Sequence, residues 1–180
     1  MKRIIFIFCL FTLSCNNKAS DSKQANLDDQ DNKSNEVVDS NIDLEIYDYD
    51  GLKPLLYKSD DKVHVVNFWA TWCAPCIKEL PYFETVNETY DDKGVEVLLV
   101  SLDFPRQYET QLIPYIKKHK LKSKVVAFDD TNQNRWIPAI NENWSGAIPA
   151  TIIYKGDQRK FYEQSFTLEE LETELKQFIN

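Results

Sequence analysis

Glycine is scarce in this 180-residue chain, with 4 copies, alongside 7 prolines and 2 histidines. So little glycine and proline excludes collagen-like and low-complexity chains. Positive charge is also short, with 21 Lys and Arg against 29 Asp and Glu and a net charge of −8. That balance argues against nucleic acid as a partner, because binding phosphates needs clustered cations that displace counterions. Four cysteines, at 9, 15, 73 and 76, are too few and too unevenly spaced for a disulfide-stapled scaffold. The two histidines, His64 and His119, are isolated from any second cysteine pair. A four-ligand zinc site therefore lacks ligands, and no metal is expected. Long hydrophobic runs are missing too. The run from Ile4 to Leu13, broken only by Thr12, makes about 15 Å of helix, half of a ~30 Å hydrocarbon core. What remains is a length suited to one ordinary domain with enough apolar residues to bury a core.

Met1-Lys2-Arg3 ahead of the Ile4–Leu13 run has the charge and length of a secretory leader. Thr12-Leu13-Ser14-Cys15 follows and resembles a bacterial lipoprotein signal, in which a small residue precedes the cysteine that is lipidated. The commonest pattern has Leu three before the cysteine, where this chain has Thr12. On this reading residues 1–14 are a signal peptide, Cys15 carries the lipid, and the membrane is a partner through that anchor. From Asn16 to Ser40 the chain is dominated by Asn, Asp, Ser, Lys and Gln and has no aromatic residue. Such a stretch cannot bury enough apolar surface to order itself. A flexible coil of that length reaches roughly 25–30 Å, so residues 15–41 are expected to tether a folded domain spanning 42–180.

Within that domain Val63-His64-Val65-Val66-Asn67-Phe68-Trp69-Ala70 is β-branched and aromatic on both alternating faces, as in a central parallel strand. A helix is expected over 74–90, a strand over 95–102, a helix over 107–118, a strand over 125–128 and a short helix near 132–136. Thr151-Ile152-Ile153-Tyr154 and Lys160-Phe161-Tyr162 flank Lys155-Gly156-Asp157-Gln158, which reads as a hairpin. Thr167-Leu168-Glu169-Glu170 is a capping box, and Leu168, Leu171, Leu175 and Phe178 keep helical spacing. Leu44 to Tyr57, with Asp50-Gly51 in its middle, suggests an additional N-terminal β-hairpin. Strands alternating with helices imply an α/β domain.

Trp72-Cys73-Ala74-Pro75-Cys76 follows the central strand directly and opens a helix. Free backbone N–H groups and the positive end of the dipole at such a start stabilise a thiolate. Two intervening residues bring the sulfurs within reach of a disulfide, and Pro75 suits the first turn. Cys73, nearer the exposed end, is the expected nucleophile, and Cys76 the residue that resolves a mixed disulfide. A purely structural disulfide would close so short a loop that it constrains the unfolded chain little. A copper-carrier site would need a nearby soft or imidazole ligand, and His64 lies at the far end of its strand.

Val65-Val66-Asn67-Phe68-Trp69-Ala70-Thr71-Trp72-Cys73-Ala74-Pro75-Cys76, followed by Glu79-Leu80-Pro81, resembles thioredoxin-like thiol–disulfide oxidoreductases of the TlpA/ResA type, which are commonly tethered to bacterial envelopes. Gly146-Ala147-Ile148-Pro149-Ala150-Thr151 extends the resemblance. The resemblance implies a thioredoxin-like fold with a central mixed sheet and helices on both faces. It also implies a cis Ile148-Pro149 bond facing the cysteines, where Trp72, Ile148 and Pro149 would contact an extended substrate. Thioredoxins of the cytoplasm carry an aspartate where this chain has Asn67. The envelope proteins often place a glutamate at the position of Glu79, which would relay the proton of Cys76, a solvated glutamate being the alternative. The implied partners are protein disulfide substrates and a membrane thiol-transfer electron donor, with no cofactor. The implied roles include cytochrome c maturation and envelope redox homeostasis. Two other functions compete. A thiol peroxidase of peroxiredoxin type would need a threonine three before its cysteine, where Ala70 and Cys73 stand. A non-catalytic lipoprotein would bind a partner through the sheet and the segment 129–146, in which Trp136 and Trp144 would serve either recognition or core filling.

Overall fold

The computed structural model describes residues 42–179, so the leader, Cys15 and the polar tether over 15–41 lie outside the described residues. Six strands form one sheet: β1 (Ile46–Tyr47), β2 (Val63–Trp69), β3 (Val95–Ser101), β4 (Lys124–Phe128), β5 (Ala150–Lys155) and β6 (Gln158–Tyr162). Five helices accompany them: α1 (Tyr49–Leu56), α2 (Ala74–Tyr90), α3 (Ile113–His119), α4 (Gln133–Ile140) and α5 (Leu168–Leu175). A π-helical turn, Tyr108–Leu112, leads into α3. The strand order is β1-β4-β3-β2-β5-β6. The pairs β1·β4, β3·β4 and β2·β3 are parallel, and β5 and β6 join antiparallel.

Every residue of β2 is buried, as expected of a central strand covered on both sides. Alternation along the strands separates two cores. Val65, Trp69, Leu99 and Ile153 pack with Leu80 and Phe83 of α2, Ile116 of α3 and Leu171 and Leu175 of α5. Val66, Phe68, Val100 and Ile152 pack on the other face with Leu52 and Leu56 of α1 and Trp136 and Ile140 of α4. The capping box of α5 forms as read, with the Thr167 side chain accepting from Glu170 N–H and the Glu170 carboxylate accepting from Thr167 N–H.

The N-terminal hairpin is replaced by β1 followed directly by α1. Asp48 caps that helix, its carboxylate accepting from Gly51 N–H at 2.8 Å, so Asp50-Gly51 lies in a first helical turn. The reason is the spacing of Tyr49, Leu52 and Leu56, which puts three buried side chains on one helical stripe. An Asp-Gly pair signals a hairpin only between alternating strands. The short helix expected near 132–136 extends to Ile140.

In segment 129–146 both tryptophans are core residues. Trp136 meets Phe128 edge-on at 5.0 Å, and Trp144 touches Trp136, Phe68 and Phe161 at centroid distances of 4.9 to 5.7 Å. Each indole N–H donates to a carbonyl, Trp136 to Asp130 at 2.9 Å and Trp144 to Ala147 at 2.8 Å. Trp144→Ala is accordingly expected to cost about 3–5 kcal/mol, read as a lower urea midpoint at unchanged slope.

Candidate active site

Strand β2 ends at Trp69, and α2 begins five residues later. The turn between them brings Cys73 to the helix start with extended backbone geometry, and its sulfur accepts from Cys76 N–H at 3.3 Å. A sulfur thus takes the capping role usually played by a Ser or Asp oxygen, next to backbone N–H groups that favour negative charge. Pro75 sits in the first turn, where its missing N–H breaks no helical bond. Cys73 and Cys76 are joined as a disulfide across a Cα–Cα distance of 5.3 Å. Cys73 keeps 5% of its surface exposed and Cys76 none, so only Cys73 can be approached from solvent.

The loop before β5 closes the other side of the site. Ile148-Pro149 is a cis peptide, and the Ile148 carbonyl oxygen lies 3.7 Å from Cys73 Sγ. Gly146 takes φ = 90° just upstream, and a Cβ there would come within 2.9 Å of Ile137 Cδ1. The positive φ calls for glycine, and the close approach to Ile137 packs the loop against α4.

One helical turn on from Cys76, α2 carries a buried carboxyl. Glu79 is 1% exposed and accepts from Phe166 N–H at 2.7 Å and from Asn67 Nδ2 at 3.0 Å. The same Asn67 amide donates to Thr151 Oγ1 at 3.0 Å, linking β2, α2 and β5. Burial pushes the Glu79 pKa up to about 7, against the lowering effect of both hydrogen bonds. The alternative of a solvated glutamate is therefore removed.

Trp72 is 51% exposed beside Cys73, and its ring stacks with Phe104, 54% exposed, at a centroid distance of 6.4 Å. These two rings border a surface cavity of about 310 Å³ whose other walls include Phe128, Asp129, Trp136 and Ile148. Phe104 was not visible to sequence reasoning, since it stands 31 residues after Cys73 in a loop with no motif of its own. Asp103, buried beside it and bonded to Thr71, was missed for the same reason. The histidines lie apart from this site. His64 is buried near the start of β2, bonded to Asp60 at 2.7 Å and stacked on Tyr154, and His119 stacks on Tyr115. Among the described residues no helix is long and apolar enough to cross a membrane.

Comparison with known proteins agrees with this geometry. A thiol-disulfide oxidoreductase ResA of Oceanobacillus iheyensis is 33% identical over 112 residues, covering 60% of this chain and 53% of that protein. A ResA of Bacillus cereus is 35% identical over 80 residues, 44% of each chain. The chain thus spans about half the length of these relatives. The crystal structure of a thiol:disulfide interchange protein of the thioredoxin family from Chlorobium tepidum matches with a TM-score of 0.56 at 20% identity. That match covers 73% of this chain and 90% of the other. The fold is therefore thioredoxin-like. The model of the AhpC/TSA family matches residues 37–159, and with a match over more than half its length this chain belongs to the AhpC/TSA family.

Proposed function

We propose that the protein is a thiol–disulfide oxidoreductase of the ResA kind, tethered outside the cytoplasm through Cys15, that reduces disulfides in protein substrates. The observation that carries this reading is the Cys73–Cys76 disulfide at the start of α2, with Cys73 Sγ facing the Ile148 carbonyl ahead of cis Pro149. The leader-like residues 1–14 and the polar stretch after Cys15 support the tether. Reduction of apocytochrome c before haem attachment and redox homeostasis of envelope proteins are the two roles this chemistry would serve.

In the reaction the Cys73 thiolate attacks one sulfur of a substrate disulfide. A mixed disulfide forms and the other substrate sulfur leaves as a thiolate that takes up a proton. Cys76, deprotonated, then attacks Cys73 Sγ and releases the second substrate thiol. The Cys73–Cys76 disulfide is left, and two electrons have passed to the substrate. A membrane thiol-transfer protein would return the two electrons. Glu79, one helical turn from Cys76, would take the Cys76 proton in the second step, because a carboxyl poised near pH 7 exchanges protons readily. Asn67 stays neutral throughout and can present either its N–H or its carbonyl to Glu79, so it serves both protonation states. An extended substrate would lie along Trp72, Ile148 and Pro149, pairing with backbone ahead of the proline. The peroxidase alternative lacks its hydroxyl, since Ala70 is buried and apolar at the position concerned.

The full chain should reduce insulin disulfides in the presence of a dithiol donor, and Cys73→Ser should abolish this. Activity surviving in Cys73→Ser would overturn the reading, and peroxide turnover without disulfide reduction would install the alternative. Cys76→Ser should accumulate mixed disulfides with its substrates. Glu79→Gln should slow exchange at pH 7 on the order of a hundredfold and remove an inflection near pH 7 from the rate profile. Equal rates in the two proteins would take Glu79 out of the mechanism.

The same carboxyl makes stability depend on pH. Its folded pKa of about 7 lies above the ordinary value of 4.5, so between those limits the native state holds a proton that the unfolded chain has lost. The stabilisation is complete below pH 4.5 and is lost as pH rises toward 7, by an amount on the order of 3 kcal/mol. Urea titrations across this window should show the fall in the parent protein and a shallower one in Glu79→Gln.

A further inference from the structure

The turn that delivers Cys73 is held from the end of β3. Ser101 pairs with Trp69 in the parallel ladder, and Leu102 N–H donates to the Trp69 carbonyl at 2.7 Å. Asp103 comes next. It is 1% exposed, and its carboxylate accepts from Thr71 N–H at 3.0 and 3.2 Å, from the Thr71 hydroxyl, and from Ser101 Oγ at 2.8 Å. The Ser101 hydroxyl in turn accepts from Asp103 N–H at 3.1 Å, which closes the cluster. All of these donors are neutral, and among the described residues no ion pair reaches Asp103. Asp103 is thus held by neutral hydrogen-bond donors from Thr71 and Ser101, with no cation among the described residues paired to it.

We infer that Asp103 is a positioning residue for the dithiol: it clamps Thr71, and through its charge it holds back ionisation of Cys73, biasing the pair toward the reducing end of its range. Thr71 and Cys73 are two residues apart, at most about 7 Å of chain, so the carboxylate stands within about 10 Å of the helix start. Like charges at that separation, in surroundings of effective dielectric about 20, disfavour the thiolate by around tenfold. The helix start and the Cys76 N–H pull the other way, so the Cys73 thiolate is set by two opposed fields. A thiolate less stable in the reduced protein makes the disulfide harder to reduce and the dithiol a stronger reductant. The other ionisable groups around this end of the sheet are Glu79 on α2, Tyr108 on the π turn, Asp129 and Asp130 in the cavity wall, and Arg106, whose guanidinium lies 5.3 Å from the Phe104 ring. Tyr108 feels the same field. Burial and then Asp129 and Asp103 push its phenol up to about 12. The carboxylate hydrogen-bonded to Thr71 is that of Asp103.

The inference rests on the thiol–disulfide reading above and is tested so that the two can fail separately. In the full chain carrying Cys76→Ser, alkylation of Cys73 by iodoacetamide is followed against pH on its own peptide by mass spectrometry. Adding Asp103→Asn should move the midpoint down by about one pH unit, a roughly tenfold gain in thiolate. With Cys76 intact, the same substitution should shift the Cys73–Cys76 equilibrium against glutathione about tenfold toward the dithiol, close to 30 mV for two electrons. Thr71→Val keeps the charge and removes one of its hydroxyl donors, so its midpoint should move up. A clamp without an electrostatic role would loosen the turn in both variants and move neither midpoint in these opposite senses. Unchanged Cys73 titration and equilibrium in Asp103→Asn, or a downward shift in Thr71→Val, would overturn the assignment of Asp103. Should Asp103→Asn fail to fold, the Thr71→Val midpoint decides alone, upward in support and otherwise against. A parent chain whose cysteine pair does not respond to glutathione would instead overturn the proposed function.

Discussion

Helix α2 begins with backbone N–H groups that have no acceptor inside the helix, and here one of them is met by the sulfur of Cys73. This contact sets the rest of the site in order. It requires that the chain leave β2 and reach the first helical turn within a few residues. That in turn requires β2 to stop where β3 and β5 can grip its end. The parallel pairing of Trp69 with Ser101 and the antiparallel pairing of Phe68 with Ala150 supply the grip from both sides. The cis Ile148-Pro149 bond lies just before Ala150, so the register of β5 against β2 also sets where the Ile148 carbonyl faces the sulfur.

The two faces of the sheet divide the work. On the face that carries α2 and α5, a polar chain runs through the apolar core from Glu79 through Asn67 to Thr151. Such a group is costly to bury unless its hydrogen bonds are made, and both Glu79 oxygens have a partner. On the opposite face the core is rich in aromatic rings. There Trp136 and Trp144 pack with Phe68 and Phe128, and the indole N–H bonds to Asp130 and Ala147 pin the loops that border the cavity beside Trp72. The tryptophans therefore shape the surface of the site from beneath it.

Much of this was legible along the chain. The uninterrupted apolar character of 63–70, the capping box at Thr167 and the Gly156-Asp157 turn are local patterns, and the elements formed where those patterns placed them. Asp50-Gly51 shows where local reading stops. The dipeptide is compatible with a hairpin and with a first helical turn, and the choice was made by Leu52 and Leu56 finding a core to enter. Trp136 and Trp144 are a similar case, because hydrophobic residues in an unfamiliar segment look alike whether they face inward or outward. Phe104 and Asp103 had no local signal at all. Their meaning comes from Trp72 and Thr71, which lie some thirty residues away in sequence and in direct contact in space.

The sequence by itself determined the chemistry that was available: one Cys-Ala-Pro-Cys pair at a strand-to-helix junction, with an asparagine and a glutamate at fixed offsets from it. Those are statements of spacing, and spacing within one strand or one helical turn is set by local backbone geometry. The tertiary structure decided the environment of each group. It buried Glu79 and so raised its pKa, set the Ile148 carbonyl against Cys73, and placed the charge of Asp103 under the turn. Burial and charge proximity depend on which distant segments pack together, and that information is spread over the whole core.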